Sequence, residues 1–270
     1  MRLSALALAV GMAWAQDAPP AKPVPDTPPP PPVLENTGKP MLLPFQCTEE
    51  DIQLSGLTCT EEDPCPIYLE LSAVESAGNR IVVGGNLHSP AVTIFSALIA
   101  SDDGGHTWQE AHERIRFAGL DRLQFLGAEL GWAAGERLSP LPQDPFLLLT
   151  SDGGKTWRSR PIFDEAAENR LGTIQQFFFT AKDSGSLIID RGQGSEGDRY
   201  ELYESPDGGE SWNFKQSSTK PLRLKRTAEP STEWRLRVDS RTQAFHVEHR
   251  EGARWSDVAA FGVKIGACKP

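Results

Sequence analysis

Three copies of one eight-residue phrase constrain this sequence most strongly. The copies obey the pattern S/T-x-D-x-G-x-T/S-W and occupy residues 101–108, 150–157 and 205–212. Their final tryptophans lie 49 and 55 residues apart, which is the scale of one four-stranded antiparallel unit in a radially repeated β fold. The spacing therefore predicts a series of equivalent β units.

Each position of the phrase suits a tight hairpin turn. The aspartate can accept hydrogen bonds from backbone N–H groups of the turn, and the glycines supply a positive φ. The tryptophan buries a large ring between sheets, which stabilises the fold by a few kcal/mol at about 25 cal/mol per Å². We therefore assign structural roles to Ser101, Asp103, Gly105, Trp108, Thr150, Asp152, Gly154, Trp157, Ser205, Asp207, Gly209 and Trp212.

The phrase resembles the Asp-box, or BNR repeat, of sialidases, sortilin-type receptors, some xyloglucan hydrolases and the photosystem II assembly and stability factors. The run Gly131-Trp132-Ala133-Ala134-Gly135 ahead of the second copy is most similar to the photosystem factors. The resemblance implies a β-propeller in which the boxes are structural turns away from the functional face. It implies a fold more than an activity.

Apolar or alternating segments supply the remaining strands of four units. They are residues 67–74, 80–85 and 93–100; 120–126, 131–135 and 145–149; 173–180, 186–190 and 199–203; and 222–226, 234–239, 244–248 and 254–258, the last group with an eroded box ending at Trp255. The sequence thus predicts an all-β fold, a small β-propeller of about four four-stranded blades. The alternatives are a fifth blade, made by pairing 45–65 with 260–270, and an open array that dimerises.

Three segments follow along the chain. Residues 1–15 read as a signal peptide, because Arg2 precedes a short apolar run and Ala13-Trp14-Ala15 resembles a cleavage site. Residues 16–44 hold half of the 22 prolines, which predicts a disordered leader. Residues 45–270 would form the propeller. The signal peptide leads us to expect an exported protein, secreted or periplasmic. No segment is long and apolar enough to span a membrane.

Four cysteines would be retained after export: Cys47, Cys59, Cys65 and Cys268. An oxidising compartment favours two disulfides, for which three pairings are possible. Every complete pairing ties the N-terminal part of the folded region to the C-terminus. The spacing lacks paired C-x-x-C motifs, so we expect neither a metal site nor a cofactor.

Charge is distributed unevenly in this chain of net charge −10. Residues 213–270 carry 12 basic and 6 acidic side chains, whereas 45–212 carry 12 and 28. In the basic part, Arg223, Lys225, Arg235 and Arg237 alternate with apolar residues and form one cationic strand face. This face either pairs with acidic groups of the same protein or binds an acidic segment of a protein partner. Nucleic acid is excluded as a partner, because the net charge would repel phosphates.

Catalytic motifs are largely missing. A sialidase needs an arginine triad, a tyrosine nucleophile and an R-I-P phrase, but the phrase is absent and only Tyr68, Tyr200 and Tyr203 could be nucleophiles. The G-x-G-x-x-G run at 192–197 precedes a predicted strand instead of a helix, which indicates a hairpin loop. His246 and His249 would face opposite sides of a strand. We predict no catalytic residue.

These observations lead us to expect a non-catalytic scaffold that holds a protein partner through its loops and cationic strand face. The alternative is a carbohydrate-active propeller, either a hydrolase or a glycan-binding module. A purely structural envelope protein is a third hypothesis. A pair of acids with perturbed pKa values in the central funnel would indicate the enzyme, and its absence the scaffold.

Overall fold

The computed structural model describes residues 32–138, 144–163, 172–193, 197–224 and 233–269. The predicted signal peptide, most of the predicted leader, Lys225 and the middle of the glycine-rich run at 192–197 lie outside the described residues.

The described chain is built almost entirely from β-strands, with one short helix. The strands are β1 (Leu34–Glu35), β2 (Cys65–Ala77), β3 (Arg80–His88), β4 (Thr93–Ser101), β5 (Thr107–Glu110), β6 (Ala118–Leu126), β7 (Leu130–Arg137), β8 (Asp144–Thr150), β9 (Arg158–Pro161), β10 (Thr173–Ala181), β11 (Ser184–Asp190), β12 (Tyr200–Ser205), β13 (Asn213–Ser218), β14 (Trp234–Asp239), β15 (Ala244–Glu251), β16 (Arg254–Gly262) and β17 (Lys264–Cys268). Helix α1 (Glu49–Ser55) begins with a capping box between Thr48 and Asp51 and ends at Gly56 in the left-handed conformation.

The strands form four antiparallel sheets, and consecutive strands are neighbours in each. We call them the first blade (β2 to β5), the second (β6 to β9), the third (β10 to β13) and the fourth (β14 to β16). The first blade also carries β1 at its outer edge and β17 at its inner edge. Four-stranded up-and-down sheets of this kind are the blades of a small β-propeller, so the predicted fold class is confirmed.

Apolar faces of neighbouring blades pack against one another in three clusters, which join the fourth blade to the first, the first to the second and the second to the third. Aromatic rings fill the centre of two of them. Trp108 meets Phe261 edge-on with the ring centroids 5.2 Å apart, and Trp132 stacks on Phe179 at 3.9 Å. Face-to-face packing explains why all but one residue of β3 and of β8 are buried, since both faces of each strand are covered.

Two disulfides fasten the ends of the folded region. Cys47 pairs with Cys268, and Cys59 pairs with Cys65. Strand β17, which carries Cys268, follows the fourth blade in sequence but pairs with β2 of the first. The predicted link between the N-terminal part and the C-terminus is therefore confirmed, and it fits an oxidising compartment.

The structure corrects the predicted end of the leader. Strand β1 pairs with β5, and Met41 and Leu43 are only 6% and 1% exposed. Residues 33–43 contain a single proline and several apolar side chains, so they can bury surface that the proline-rich part cannot. The folded region therefore begins before residue 45.

Two further strand predictions differ from the structure. The proposed fifth blade does not form, because β17 adds to the edge of the first blade. The fourth blade has three strands within the described ranges, and residues 222–224 are not in a strand. Met41 instead makes a parallel bridge to Phe261 at the edge of that sheet.

Candidate functional site

The three repeated turns lie at one end of the first three blades, where each joins the third strand to the fourth. In the second turn, the Thr150 hydroxyl and the Thr156 backbone N–H donate to Asp152 Oδ1 at 2.8 and 2.9 Å, and the Thr156 hydroxyl donates to Oδ2 at 2.6 Å. The Gly154 N–H donates to Thr150 Oγ1 at 2.9 Å. The first and third turns repeat this arrangement.

These hydrogen bonds keep the turn carboxylates ionised. The Thr107 hydroxyl and backbone N–H lower the pKa of Asp103 to about 2. Burial raises the pKa of Asp152, but the bonds from Thr156 and Thr150 together outweigh burial and bring the pKa to about 2. A carboxylate already occupied by several donors inside its own turn is suited to structure.

The opposite end of the same blades carries two rows of polar residues. The inner strands β2, β6 and β10 each contain a β-bulge at the same place, and the extra residues are Ser72, Asp121 and Gln175, which we call the bulge row. On the second strands, Asn86, Glu136 and Asp190 occupy equivalent positions, which we call the rim row. Each of them pairs with the residue that lies five positions before the serine or threonine at the start of the repeated turn of its blade. Bulges redirect side chains and are common beside active sites.

Glycines permit the bulges of the first two blades. A Cβ on Gly85 would lie 2.0 Å from the carbonyl oxygen of Glu70, and one on Gly135 would lie 2.3 Å from the carbonyl oxygen of Gly119. No side chain fits at such distances, so the second glycine of the run 131–135 has a defined role. It lets the inner strand approach the second strand beside Glu136.

Acidic side chains of the first and second blades come together around these two rows. Glu70, Asp121 and Glu136 form this acid cluster, with Asn86 between the blades and Arg122 beside it. Asn86 is 7% exposed, and its Nδ2 donates to Glu70 Oε2 at 3.4 Å. No described residue donates to Asn86 Oδ1, although that atom is buried.

Burial perturbs two acids of the cluster. Desolvation raises the pKa of Glu136 from 4.5 to about 7, the charge of Asp121 raises it further, and Arg122 opposes both. Desolvation also raises the pKa of Asp121, against the attraction of Arg122. Glu136 Oε2 is buried and has no hydrogen-bond partner within the described part of the chain. A carboxyl that is protonated near neutral pH beside an ionised one can serve as a general acid.

The perturbed acids line a small cavity between the second and third blades. The Arg122 guanidinium closes one side by donating from Nη1 to the carbonyl oxygen of Ile174 at 2.6 Å. The lining residues are Asp121, Arg122, Ala134, Gly135, Glu136 and Ile174.

The third blade lacks this chemistry. Asp190 of the rim row accepts hydrogen bonds from Arg199 Nε and Nη2, both at 2.7 Å, and from the Gly192 N–H at 2.9 Å. The hydrogen bonds from Arg199, acting against burial, lower the pKa of Asp190. Within the two rows, the acids with a raised pKa therefore both lie in the second blade.

The predicted partner-binding arginines are engaged within the fourth blade. Arg235 and Arg237 both pair with Glu248, Arg237 Nε at 2.7 Å from Oε1. The Arg235 guanidinium also lies 4.2 Å from the centroid of the Trp255 ring. Arg223 is exposed, and Lys225 lies outside the described residues. Arg235 and Arg237 therefore pair with an acidic group of the same protein, and this group lies in their own sheet.

Other candidates from the sequence do not converge. Tyr203 is 2% exposed and donates its hydroxyl to Glu201 at 2.6 Å. His246 lies 3.2 Å from Asp257, whereas the His249 ring packs on Trp234. Within the described ranges, no three His, Cys, Asp or Glu side chains are grouped to hold a metal ion. None of the described helices has the length and apolarity of a membrane span.

Sequence analysis missed the acid cluster. Its signal was present, since Glu136 directly follows the run 131–135 and Asp121 interrupts an apolar strand of the same blade. Glu70 and Asn86 carry no comparable mark, because they approach Asp121 only through packing of the first blade on the second.

Neither protein-family models nor curated proteins give a match. Among solved structures, the chain is similar to an alpha-L-arabinanase of Penicillium chrysogenum complexed with arabinobiose, at 15% identity and a TM-score of 0.38. The match covers 74% of this chain and 62% of the arabinanase, so the chain spans less than two thirds of that structure's length.

The expectation of a non-catalytic scaffold, and with it of a protein that is not an enzyme, is wrong. A pair of acids with perturbed pKa values, which would indicate an enzyme and not a scaffold, lines the cavity between the second and third blades. The similarity to the arabinanase, at 15% identity and a TM-score of 0.38, carries no argument about chemistry.

Proposed function

We propose that the protein is a carbohydrate-active propeller that hydrolyses glycosidic bonds with its acid cluster. The observation that carries this proposal is the pairing of Glu136, whose pKa is raised to about 7, with the carboxyl of Asp121 on the adjacent strand. Glycoside hydrolysis needs one carboxyl that donates a proton and a second that stabilises or attacks the sugar.

Glu136 takes the role of general acid. Half of its population is protonated near pH 7, and the proton is transferred to the leaving glycosidic oxygen. Asp121 is the second carboxylate, either as the nucleophile or as the base that activates water. Desolvation raises the pKa of Asp121, and Arg122 opposes this by favouring the ionised form.

Unpartnered acceptors favour a ligand rich in hydroxyl groups. Asn86 Oδ1 and Glu136 Oε2 are buried without donors from described residues, and a buried acceptor left unpaired costs about 1 to 3 kcal/mol. A Cβ on Gly119 would lie 3.8 Å from Asn86 Nδ2 and 3.9 Å from Asp121 Oδ1, so both side chains border the space above this glycine. Sugar hydroxyls placed there would supply the missing donors.

We also infer that the three repeated turns are Asp-boxes and that the protein is exported. The common hydrogen-bond pattern of the three turns supports the first inference. The two disulfides support the second, because disulfides persist in oxidising compartments.

Release of reducing ends from neutral polysaccharides (arabinan, xylan, mannan and mixed-linkage β-glucan) tests the proposed function. We expect turnover of at least one of them. Glu136→Gln should lower kcat at least 100-fold, and Asp121→Asn similarly, with unchanged folding by circular dichroism. Glu129→Gln is the matched control, because Glu129 is an exposed glutamate at the opposite end of the same blade.

The pH profile adds an independent readout. Because Glu136 must be protonated to act, activity should fall as pH rises through about 7. Glu136→Gln turning over substrate at the wild-type rate would contradict the proposal. So would a folded wild-type protein that neither hydrolyses nor binds any of these polysaccharides.

A further inference from the structure

The bulge row continues beyond the acid cluster into the third blade. Strands β2, β6 and β10 are the inner strands of successive blades, and their bulges occupy one register level. We infer that the site extends along this row from the first blade to the third and binds a chain of several neutral sugar units, with Gln175 as a binding residue beyond the acid cluster. This inference rests on the proposed function.

Strands β6 and β10 are held side by side, so their bulges share one surface. The Gln124 side chain donates to the carbonyl oxygen of Phe179 at 2.7 Å and accepts from its N–H at 2.9 Å. Ile174, the residue before Gln175, lines the same cavity as Asp121 and Glu136. Gln175 therefore directly follows a residue that lines the cavity of the acids.

The Gln175 side chain has one polar atom without a partner in the described part of the protein. Its Oε1 is buried and accepts no hydrogen bond from a described residue. The adjacent Gln176 differs, because its Oε1 accepts from the Leu224 N–H at 3.1 Å. Asn86 on the other side of the acids has an equally unpartnered Oδ1. One unused amide oxygen therefore lies on each side of the carboxyl pair.

The charges of the row select a neutral chain. Among the described residues, Arg122 is the cation whose charge acts on Asp121 and Glu136, and Glu70 adds a third acid beside them. The acid cluster should therefore repel acidic sugars. In the third blade, the Arg199 guanidinium neutralises Asp190. The outer positions, Ser72 and Gln175, are uncharged. A row of acids flanked by neutral polar groups suits a polysaccharide that passes on both sides of the bond to be cleaved.

The length of the row also requires more than one sugar ring. Packed β-sheets lie roughly 10 Å apart, so each step from one inner strand to the next is of that order. A ligand that contacts both Ser72 of the first blade and Gln175 of the third must pass the inner strand of the second blade. Affinity should therefore rise with chain length until the ligand covers the third blade.

Isothermal titration calorimetry on the full chain tests this inference. Glu136→Gln protein, which should bind without hydrolysis, is titrated with mono-, di-, tetra- and hexasaccharides of arabinose, xylose, mannose and glucose. For the series that binds, we expect Kd to fall at least tenfold from disaccharide to hexasaccharide. Adding Gln175→Ala should weaken hexasaccharide binding about fivefold or more and change disaccharide binding less than twofold.

Two matched controls separate the site from its surroundings. Gln216→Ala changes an exposed glutamine on β13 and should leave every Kd unchanged. Gly119→Ala places a methyl group between Asn86 and Asp121 without backbone strain and should weaken binding at all lengths. Gly266→Ala adds the same methyl group beside Phe45 and should change nothing.

The possible failures are distinguishable. If saccharides bind but affinity does not depend on chain length, or if Gln175→Ala affects disaccharide and hexasaccharide alike, the extended site is wrong and the proposed function stands. If no saccharide of any length binds the folded protein, the proposed function itself is overturned, and the extended site with it. The length series requires no substitution at Gln175, so it decides the matter even if that variant misfolds.

Discussion

The two ends of the first three blades are built from the same repeat but differ in how their polar groups are used. At the turn end, three carboxylates accept hydrogen bonds from equivalent donors in the same geometry. At the opposite end, equivalent positions hold serine, aspartate and glutamine in one row and asparagine, glutamate and aspartate in the other. The repeat is uniform where it fixes a turn and varied where it borders open space.

The difference is also energetic. Hydrogen bonds lower the pKa of Asp103 and Asp152, so their ionised forms stabilise the fold. Burial raises the pKa of Glu136, so its ionised form destabilises the fold. Residues that destabilise the fold are common at functional sites. The buried carboxyl of Glu136, at the end opposite the turns, is such a residue.

The largest expected effect comes from exchanging the acid for an amide. Glu136→Gln should lower kcat at least 100-fold, about 2.7 kcal/mol or more of transition-state stabilisation. The same variant should unfold at an equal or higher urea concentration at pH 8, because it no longer buries a charge. A variant that loses both activity and stability would remove the contrast between the two ends.

The reverse effect is expected at the turn end. Asp152→Ala should lower the free energy of unfolding by about 1 to 3 kcal/mol, because the N–H and hydroxyl donors of the turn lose their acceptor. Activity per folded molecule should not change. Asp183→Ala, at an exposed turn aspartate, is the control. Unchanged urea denaturation of Asp152→Ala would show that the carboxylate does not hold its turn.

Stability should respond to pH in opposite directions at Glu136 and at the turn aspartates. The contribution of Glu136 is fully present below pH 4.5 and is lost as pH rises through about 7. The contributions of Asp103 and Asp152 are present above pH 3.8 and are lost as pH falls through about 2.

Urea denaturation at pH 5 and pH 8 measures the effect of Glu136. We expect Glu136→Gln to abolish on the order of 1 to 2 kcal/mol of the wild-type difference, allowing for partial exposure to solvent. The pKa of Glu75 is also raised to about 7, mainly by burial, so Glu75→Gln should remove a separate part. An identical pH difference in wild type and Glu136→Gln would contradict the raised pKa.

The smallest effect distinguishes the turns from one another. The indole N–H groups of Trp108 and Trp157 donate to the carbonyl oxygens of Gly105 and Gly154. Trp212 Nε1 is buried but finds no acceptor among the residues described. Substitution by phenylalanine should therefore cost about 1 kcal/mol more at Trp108 and Trp157 than at Trp212, measured by urea denaturation. Equal losses at all three positions would show that the indole bond is unimportant.

Much of the fold could be predicted because the repeat encodes local structure. The strands before each turn and a link between the N-terminal cysteines and Cys268 follow from spacing and chemistry that are visible in the sequence, whereas the choice of Cys47 as the partner does not. The end of the leader could not be placed, since burial of Leu43 depends on contacts with blades distant in the chain. The segment of strand β17 was assigned to a separate fifth blade for the same reason, because its partner β2 lies about 200 residues earlier.

The candidate site was harder to predict because it depends on register. Asp121 and Gln175 belong to one row only because the strands β6 and β10 bulge at the same level. A bulge leaves no clear pattern in a single sequence, and Glu136 resembles any charged residue at the end of a strand. The desolvation that raises its pKa arises from packing between blades.

Carbon-13 NMR of glutamate-labelled protein tests the central claim most directly. Glu136→Gln identifies the Glu136 carboxyl resonance by its disappearance. In the wild-type protein this resonance should titrate near pH 7 and shift when a neutral oligosaccharide that the protein binds is added. A Glu136 carboxyl that titrates near pH 4.5 and responds to none of the arabinose, xylose, mannose or glucose oligosaccharides would contradict the assignment of function to this end of the propeller.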